Sequence, residues 1–129
     1  MKPQFLLDTH ALIFIRSKAK LISTRVRKIL SHENVLLLSS VSVWEMSIKI
    51  SLGKLILPSS LEEFIQEFLP AENIKLLNIS LPHLFALREL NLVHRDPFDR
   101  LLISQAIFES VAIISNDSIF DQYGVKRVW

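Results

Sequence analysis

Five carboxylates stand where a chain seldom places them. Asp8 closes the apolar run Phe5-Leu6-Leu7, and Glu45 interrupts the apolar side of an expected helix. Asp96 and Asp99 open the helical stretch Pro97–Glu109, and Asp117 follows Val111-Ala112-Ile113-Ile114. Carboxylates are rarely buried without a partner. Acids repeated at the ends of buried strands therefore point to one shared positive partner, and a divalent cation is the simplest. Two carboxylates about 4 Å apart repel by roughly 4 kcal/mol at an effective dielectric near 20. Without a cation, one of them tends to keep its proton. Mg²⁺ or Mn²⁺ removes that conflict, prefers oxygen ligands and fills its shell with water. A metal so held activates water and stabilises charge on a phosphodiester. The chemistry implied is hydrolysis: water attacks phosphorus in line and the 3′ oxygen leaves, with no protein nucleophile.

Each acid also has a simpler account. Asp8 suits an N-cap. Asp96 suits an N-cap with Pro97 at the first helical position and Asp99 at the third, where a carboxylate favours the helix dipole. Asp117, in Ser115-Asn116-Asp117-Ser118, fits turn chemistry. Glu45 has Val41, Trp44 and Ile48 as helical neighbours, so it borders an apolar stripe. A surface glutamate beside that stripe is the alternative. The set carries more weight than any member, because four separate accounts would have to coincide with one sheet edge.

The elements that must position these acids follow from hydrophobic spacing. Strands are expected at Gln4–Asp8, Asn34–Ser39, Ile74–Ile79 and Val111–Ser115, with a short fifth at Lys126–Trp129. Helices are expected at Thr9–Arg16, Ala19–Ser31, Val41–Leu52, Leu61–Leu69, Pro82–Leu90 and Pro97–Ser110. Gly53 is a stop signal, and Leu55–Pro58 is a connection. Strands alternate with helices and most are apolar on both faces. That predicts an α/β fold with a mainly parallel sheet of four or five strands covered on each side. In such sheets ligands sit beyond the carboxyl ends of the strands. Asp8 and Asp117 fall at those ends, and Glu45 and Asp99 fall early in their helices.

The 129 residues suit one compact domain, 1–129, and half of them are hydrophobic. No linker or repeat divides the chain. The net charge of +2 makes no call for a nucleic-acid partner. Its distribution says more. Residues 9–32 hold Arg16, Lys18, Lys20, Arg25, Arg27 and Lys28 and no acid, whereas residues 55–74 hold four glutamates and no Lys or Arg. Two solvated helix faces or a basic rim for a polyanion both fit. The absence of cysteine excludes disulfides, thiol nucleophiles and Cys-type zinc sites. Asp8, Thr9 and His10 break any signal-peptide core in Met1–Ile15, and no apolar run approaches the ~20 residues of a membrane span. A soluble, unexported, cytoplasmic protein is expected.

At these residues the chain resembles PIN-domain ribonucleases, and more narrowly the VapC toxins of type II toxin–antitoxin systems. The likeness runs through Leu6-Leu7-Asp8-Thr9-His10-Ala11-Leu12 and Ser39-Ser40-Val41-Ser42-Val43-Trp44-Glu45. His94-Arg95-Asp96-Pro97-Phe98-Asp99-Arg100-Leu101-Leu102-Ile103-Ser104-Gln105-Ala106 is its most specific segment. Ile114-Ser115-Asn116-Asp117, Phe120, Tyr123-Gly124-Val125 and Val128-Trp129 complete it. The resemblance implies a three-layer α/β/α sandwich and a site binding Mg²⁺ or Mn²⁺. It implies Asp8, Glu45, Asp99 and Asp117 as metal-binding and catalytic acids. Asp96 is a further acid of this subgroup, favoured as cap or support, though the roles of Asp96 and Asp99 are open to exchange. Ser115 is implied as a hydroxyl near the metal, with Thr9 as a weaker supporting residue. RNA cleavage, a homodimer and inhibition by a VapB-type antitoxin are implied as well. That partner would lay an apolar segment in a groove and present a basic side chain to the acids.

Arg95, Arg100, Arg16 and Lys18 are candidate RNA contacts, with surface arginine or lysine as the simpler account. His10 and His94 are proton carriers or ordinary structural histidines. Trp44, Phe64 and Phe68 are expected in a core or interface, and Lys49 and Lys54 on the surface. A phosphatase with Asp8 as nucleophile would place a second Asp two residues on, where this chain has His10. A rival of another class is a non-catalytic module whose acidic cleft binds a basic peptide. Such a module needs no metal ion.

Overall fold

The computed structural model describes residues 2–17, 19–31, 33–91 and 96–129, apart from the side chains at positions 17 and 19. Lys18, His94 and Arg95 lie outside the described residues. Five strands form one sheet: β1 Gln4–Leu7, β2 Val35–Ser39, β3 Ile74–Leu77, β4 Ala112–Ile114 and β5 Arg127–Val128. Their order is β3-β2-β1-β4-β5 and every pairing is parallel. The helices are α1 Thr9–Ser17, α2 Thr24–Ser31, α3 Ser40–Ser51, α4 Leu61–Ala71, α5 Leu81–Ala86 and α6 Pro97–Glu109.

The strand register explains the layers. Leu6 sits beside Leu37 and Ile113, and Leu7 beside Leu38 and Ile114. Successive side chains point to opposite faces. Leu6, Leu37 and Ile113 therefore pack with Leu102, Ile103 and Ala106 of α6. Leu7, Leu38 and Ile114 pack with Leu12 of α1, Val26 of α2, Met46 of α3 and the stacked pair Phe64–Phe68 of α4. Both faces of the sheet are covered, which makes the α/β/α sandwich. Each fully buried side chain of this kind stabilises by roughly 1.5–3 kcal/mol over its exposed state.

Three expectations needed correction. The helix expected over Ala19–Ser31 divides into a 3-10 turn, Ala19–Leu21, and α2. Ser23 is the cause: its hydroxyl accepts from Val26 N at 3.1 Å and its carbonyl accepts from Arg27 N at 3.0 Å, starting a new helix. The helix expected to stop before Pro70 runs through it to Ala71. Pro70 stands in the last turn, and Glu72 N still reaches Phe68 O at 3.1 Å. The helix expected over Pro82–Leu90 tightens into a 3-10 turn at Leu87–Glu89. There the Ser104 hydroxyl donates to the His83 carbonyl, and Leu87 N turns to Leu84 O. A further 3-10 segment, Ser118–Tyr123, carries the buried Phe120 and had no periodic signal.

Strand order sets the place for a site. The chain leaves β1 toward β2 and β3, then returns to the other side of β1 as β4. The crevice at such a reversal, beyond the carboxyl ends of β1 and β4, is where open parallel sheets bind ligands. Ser39 ends β2 and caps α3, its buried hydroxyl accepting from Val41 N at 3.0 Å. Ser39→Ala leaves that amide unpaired in the interior, so we expect a loss of about 1–2 kcal/mol. Urea unfolding checks it; an unchanged midpoint would show that the cap adds nothing.

Candidate active site

Asp8 is the residue after β1, and the peptide geometry of the sheet holds it there. Its N–H donates to Ile114 O of β4 at 3.0 Å, and its carbonyl accepts from Leu12 N at 3.0 Å to begin α1. The side chain lies between the two elements and is 2% exposed. Oδ2 accepts from the Ser115 hydroxyl at 2.8 Å, whereas Oδ1 is buried with no hydrogen-bond partner. A buried carboxylate oxygen without a donor is costly.

Glu45 repeats the pattern from α3. It is 6% exposed, its Oε2 pairs with Lys49 Nζ at 3.1 Å, and its Oε1 is buried without a partner. A surface glutamate is thereby ruled out. Its charge reaches Asp8. Burial pushes the Asp8 carboxyl above the ordinary carboxylate range. Glu45 pushes the same way, while the Ser115 hydroxyl, the His10 charge and the Thr9 backbone pull back without cancelling. Thr9 itself donates to Ser42 Oγ at 2.8 Å, and both residues are fully buried. That bond ties the start of α1 to the helix carrying Glu45.

The other acids approach by different routes. Ser115 Oγ also accepts from Asp117 N at 3.0 Å, so one hydroxyl joins Asp8 to the turn that carries Asp117. Asp117 is exposed and caps the 3-10 segment, its Oδ1 accepting from Ile119 N at 3.1 Å. Arg127 steadies this corner, donating to Ser115 O at 3.1 Å while paired with Asp121 at 3.0 Å. Asp96 is the N-cap of α6: its Oδ1 accepts from Phe98 N at 2.9 Å and Asp99 N at 3.3 Å. Asp99, half-buried, thus stands in the first turn of α6. Phe98 packs edge-on against Trp44 with ring centroids 4.7 Å apart, docking that turn beside the residue before Glu45.

The acids are brought together in part. Asp8 and Glu45 are both buried and act on one another electrostatically, Asp117 is linked through Ser115, and Phe98, the residue before Asp99, packs on Trp44 of α3. Among the described residues no group of three or more His, Asp or Glu side chains is arranged to hold a metal ion. Asp8, Glu45 and Asp117 each turn one oxygen to a local donor instead. A divalent cation still fits, because Asp8 Oδ1 and Glu45 Oε1 are buried oxygens with no internal donor and the candidate ligands are all oxygens.

The basic candidates fare differently. Arg100 is half-buried, with Nη2 directed to Leu87 O at 3.4 Å and Nε enclosed without a partner. Arg16 is exposed and lines a cavity with Phe64, Glu67 and Phe68. Of the aromatics expected in a core or interface, Phe64 and Phe68 are buried and Trp44 is half exposed. Lys49, expected on the surface, is a cation that pairs with a site acid; its spacing of four from Glu45 was the signal for that.

The PIN domain profile matches residues 5–126. The chain belongs to the PIN-domain family. Several solved structures of similar fold come from toxin–antitoxin complexes. VapBC2 from Rickettsia felis, bound to a promoter DNA fragment, shares 17% identity over 97% of each chain with a TM-score of 0.73. DNA-bound VapBC from Salmonella typhimurium shares 15%, covering 98% of this chain and 97% of that one, at 0.69. VapBC-1 from nontypeable Haemophilus influenzae shares 14%, covering 97% and 96%, at 0.67. At these identities the likeness is one of fold. No curated protein sequence matches this PIN domain significantly.

The Asp8 geometry sets a pH-dependent stability. Its carboxyl holds a proton more tightly folded than unfolded, so its contribution is present below the ordinary carboxyl range and lost as pH rises through the folded value. Asp8→Asn should therefore raise the melting temperature by a few degrees at pH 7 in chelator, the shift that about 1 kcal/mol produces in a domain of this size. The gain should vanish in acid. Thermal melts across pH check it, and a mutant less stable at pH 7 would contradict the strained-acid account.

Proposed function

We propose that this chain is a metal-dependent endoribonuclease of the VapC type, a toxin that hydrolyses RNA phosphodiester bonds and is restrained by a VapB-type antitoxin. The observation that carries the reading is the buried Asp8–Glu45 pair, with one donor-less oxygen on each acid, at the reversal point of a PIN-domain sheet. The VapBC complexes among its structural neighbours support the toxin assignment and the antitoxin partner.

In this reading Asp8, Glu45, Asp99 and Asp117 hold Mg²⁺ or Mn²⁺, with Asp8 and Glu45 as the inner pair. When bound, the ion supplies charge neutralisation and an activated water. The chain's own residues do the positioning. Ser115 spends its one proton on Asp8 Oδ2, which leaves Oδ1 directed elsewhere. Asp96 caps α6 and so keeps Asp99 in the first turn. The N-terminus of α6 favours an anion in front of it. The reaction is hydrolysis: the oxygen of water bonds to phosphorus, and the 3′ oxygen leaves.

The same reading makes residues 1–129 one domain that acts in the cytoplasm. No helix among the described residues is long and apolar enough to cross a membrane. Exposed Leu81, Leu84 and Phe85 on α5, with Ile107 and Phe108 on α6, offer apolar area for a second subunit of the expected homodimer or for the antitoxin.

The test is cleavage of an RNA oligonucleotide beside a matched DNA one, in chelator and after adding back Mg²⁺ or Mn²⁺. RNA should be cut only with metal. Asp8→Asn and Asp99→Asn should each lower the rate at least ~100-fold with the fold retained by circular dichroism. Glu45→Gln should weaken metal binding measured by calorimetry. Activity surviving in both aspartate variants, or in chelator, would refute the assignment.

A further inference from the structure

Lys49 has no place in the acid set, yet it is built into it. Glu45 and Lys49 stand four apart on α3, and the carboxylate meets the ammonium at 3.1 Å. On a solvated helix face such a pair is a minor local support. This one is largely withdrawn from solvent: the Glu45 side chain is 7% exposed and that of Lys49 is 28% exposed. Helical side chains slant toward the N-terminus. The lysine stem therefore carries its charge back along α3, toward the sheet edge where Asp8 lies. It is a lysine paired directly with a candidate site acid. Of the other basic candidates, Arg100 is bonded to a backbone carbonyl and Arg16 lines a separate cavity, while Lys18 and Arg95 lie outside the described residues.

The chemistry of the contact is lopsided. Lys49 carries three protons and spends its charge on one carboxylate oxygen. That oxygen belongs to a residue whose second oxygen is enclosed and unpaired. A doubly charged ion drawn to Glu45 meets a single positive charge already there, and the two repel. A phosphate arriving at the same place offers the ammonium a second anionic partner.

Resting on the nuclease reading above, we propose that Lys49 is a substrate-positioning residue: it occupies Glu45 in the free protein, competes with the metal for that carboxylate, and takes up an RNA phosphate beside the acids. The ammonium then neutralises phosphate charge without adding or removing any bond of the reaction. Arginine at this position could still pair with both carboxylate and phosphate, whereas methionine keeps the stem's apolar packing and loses the charge.

The experiment compares wild type, Lys49→Met and Lys49→Arg by steady-state RNA cleavage at several salt concentrations, and by Mn²⁺ calorimetry without RNA. Lys49→Met should raise KM about tenfold with little change in kcat, and should reduce the slope of log affinity against log salt by about one contact. It should also bind Mn²⁺ more tightly, because the competing charge is gone. Lys49→Arg should recover most of the KM. An unchanged KM and salt slope in Lys49→Met overturns the proposal. So does weaker Mn²⁺ binding, which would make Lys49 a mere holder of Glu45. If the wild type shows no metal-dependent RNA cleavage, the nuclease reading and this proposal both fall; if only Lys49→Met matches wild type, the nuclease reading stands.

Discussion

Everything in this fold is arranged around two carboxylates taken out of water without enough donors. Asp8 and Glu45 are each almost wholly buried, and each keeps one oxygen unsatisfied. Hydrogen bonds satisfy the great majority of buried polar atoms in folded proteins. A pair of exceptions whose charges act on one another is a local cost, offset by the cores on both faces of the sheet. The Asp8 carboxyl, held above its usual range by that burial, is the electrostatic mark of the same constraint. Strain of this kind gathers where a ligand completes the structure.

The sheet topology explains why the cost falls where it does. β1 is the central strand, with parallel neighbours on both sides. Its last residue therefore leads into the crevice between β2 with its helix and β4 with its turn. Four short hydroxyl side chains knit that crevice. Ser39 caps α3, Thr9 bonds Ser42, and Ser115 bridges Asp8 to the Asp117 turn. Each is small enough to be buried and polar enough to fix a direction. The acids are thus placed mainly by backbone and hydroxyl groups, with long side chains taking part at Lys49 and Arg127.

Much of this was legible in the sequence, for reasons that can be named. The apolar runs Leu6-Leu7, Leu36-Leu37-Leu38 and Ile113-Ile114 mark strands buried on both faces, and the sheet contains all three. Glu45 beside Val41 and Trp44 marked a carboxylate near an apolar stripe, and it is buried. Tertiary choices were not legible. Ser23 starts a helix because its hydroxyl finds Val26 N, and Ser104 on α6 takes a carbonyl that α5 needed to stay α-helical. Periodicity carries no record of either. The rotamers of the acids were hidden for the same reason: Asp117 answers to Ile119 N and Glu45 to Lys49, contacts made by local geometry.

The margins of the sheet carry a consequence of their own. β5 supplies only two residues to its outer side, too few to template a foreign strand. β3 is longer, and its adjacent exposed residues Lys75 and Leu76 fall on opposite faces of this edge strand. A charge set in the middle of a four-residue border discourages indefinite stacking of copies, while the neighbouring leucine leaves that border adhesive. The shorter rim is thereby closed to strand addition by its length, and the longer one is guarded by its charge.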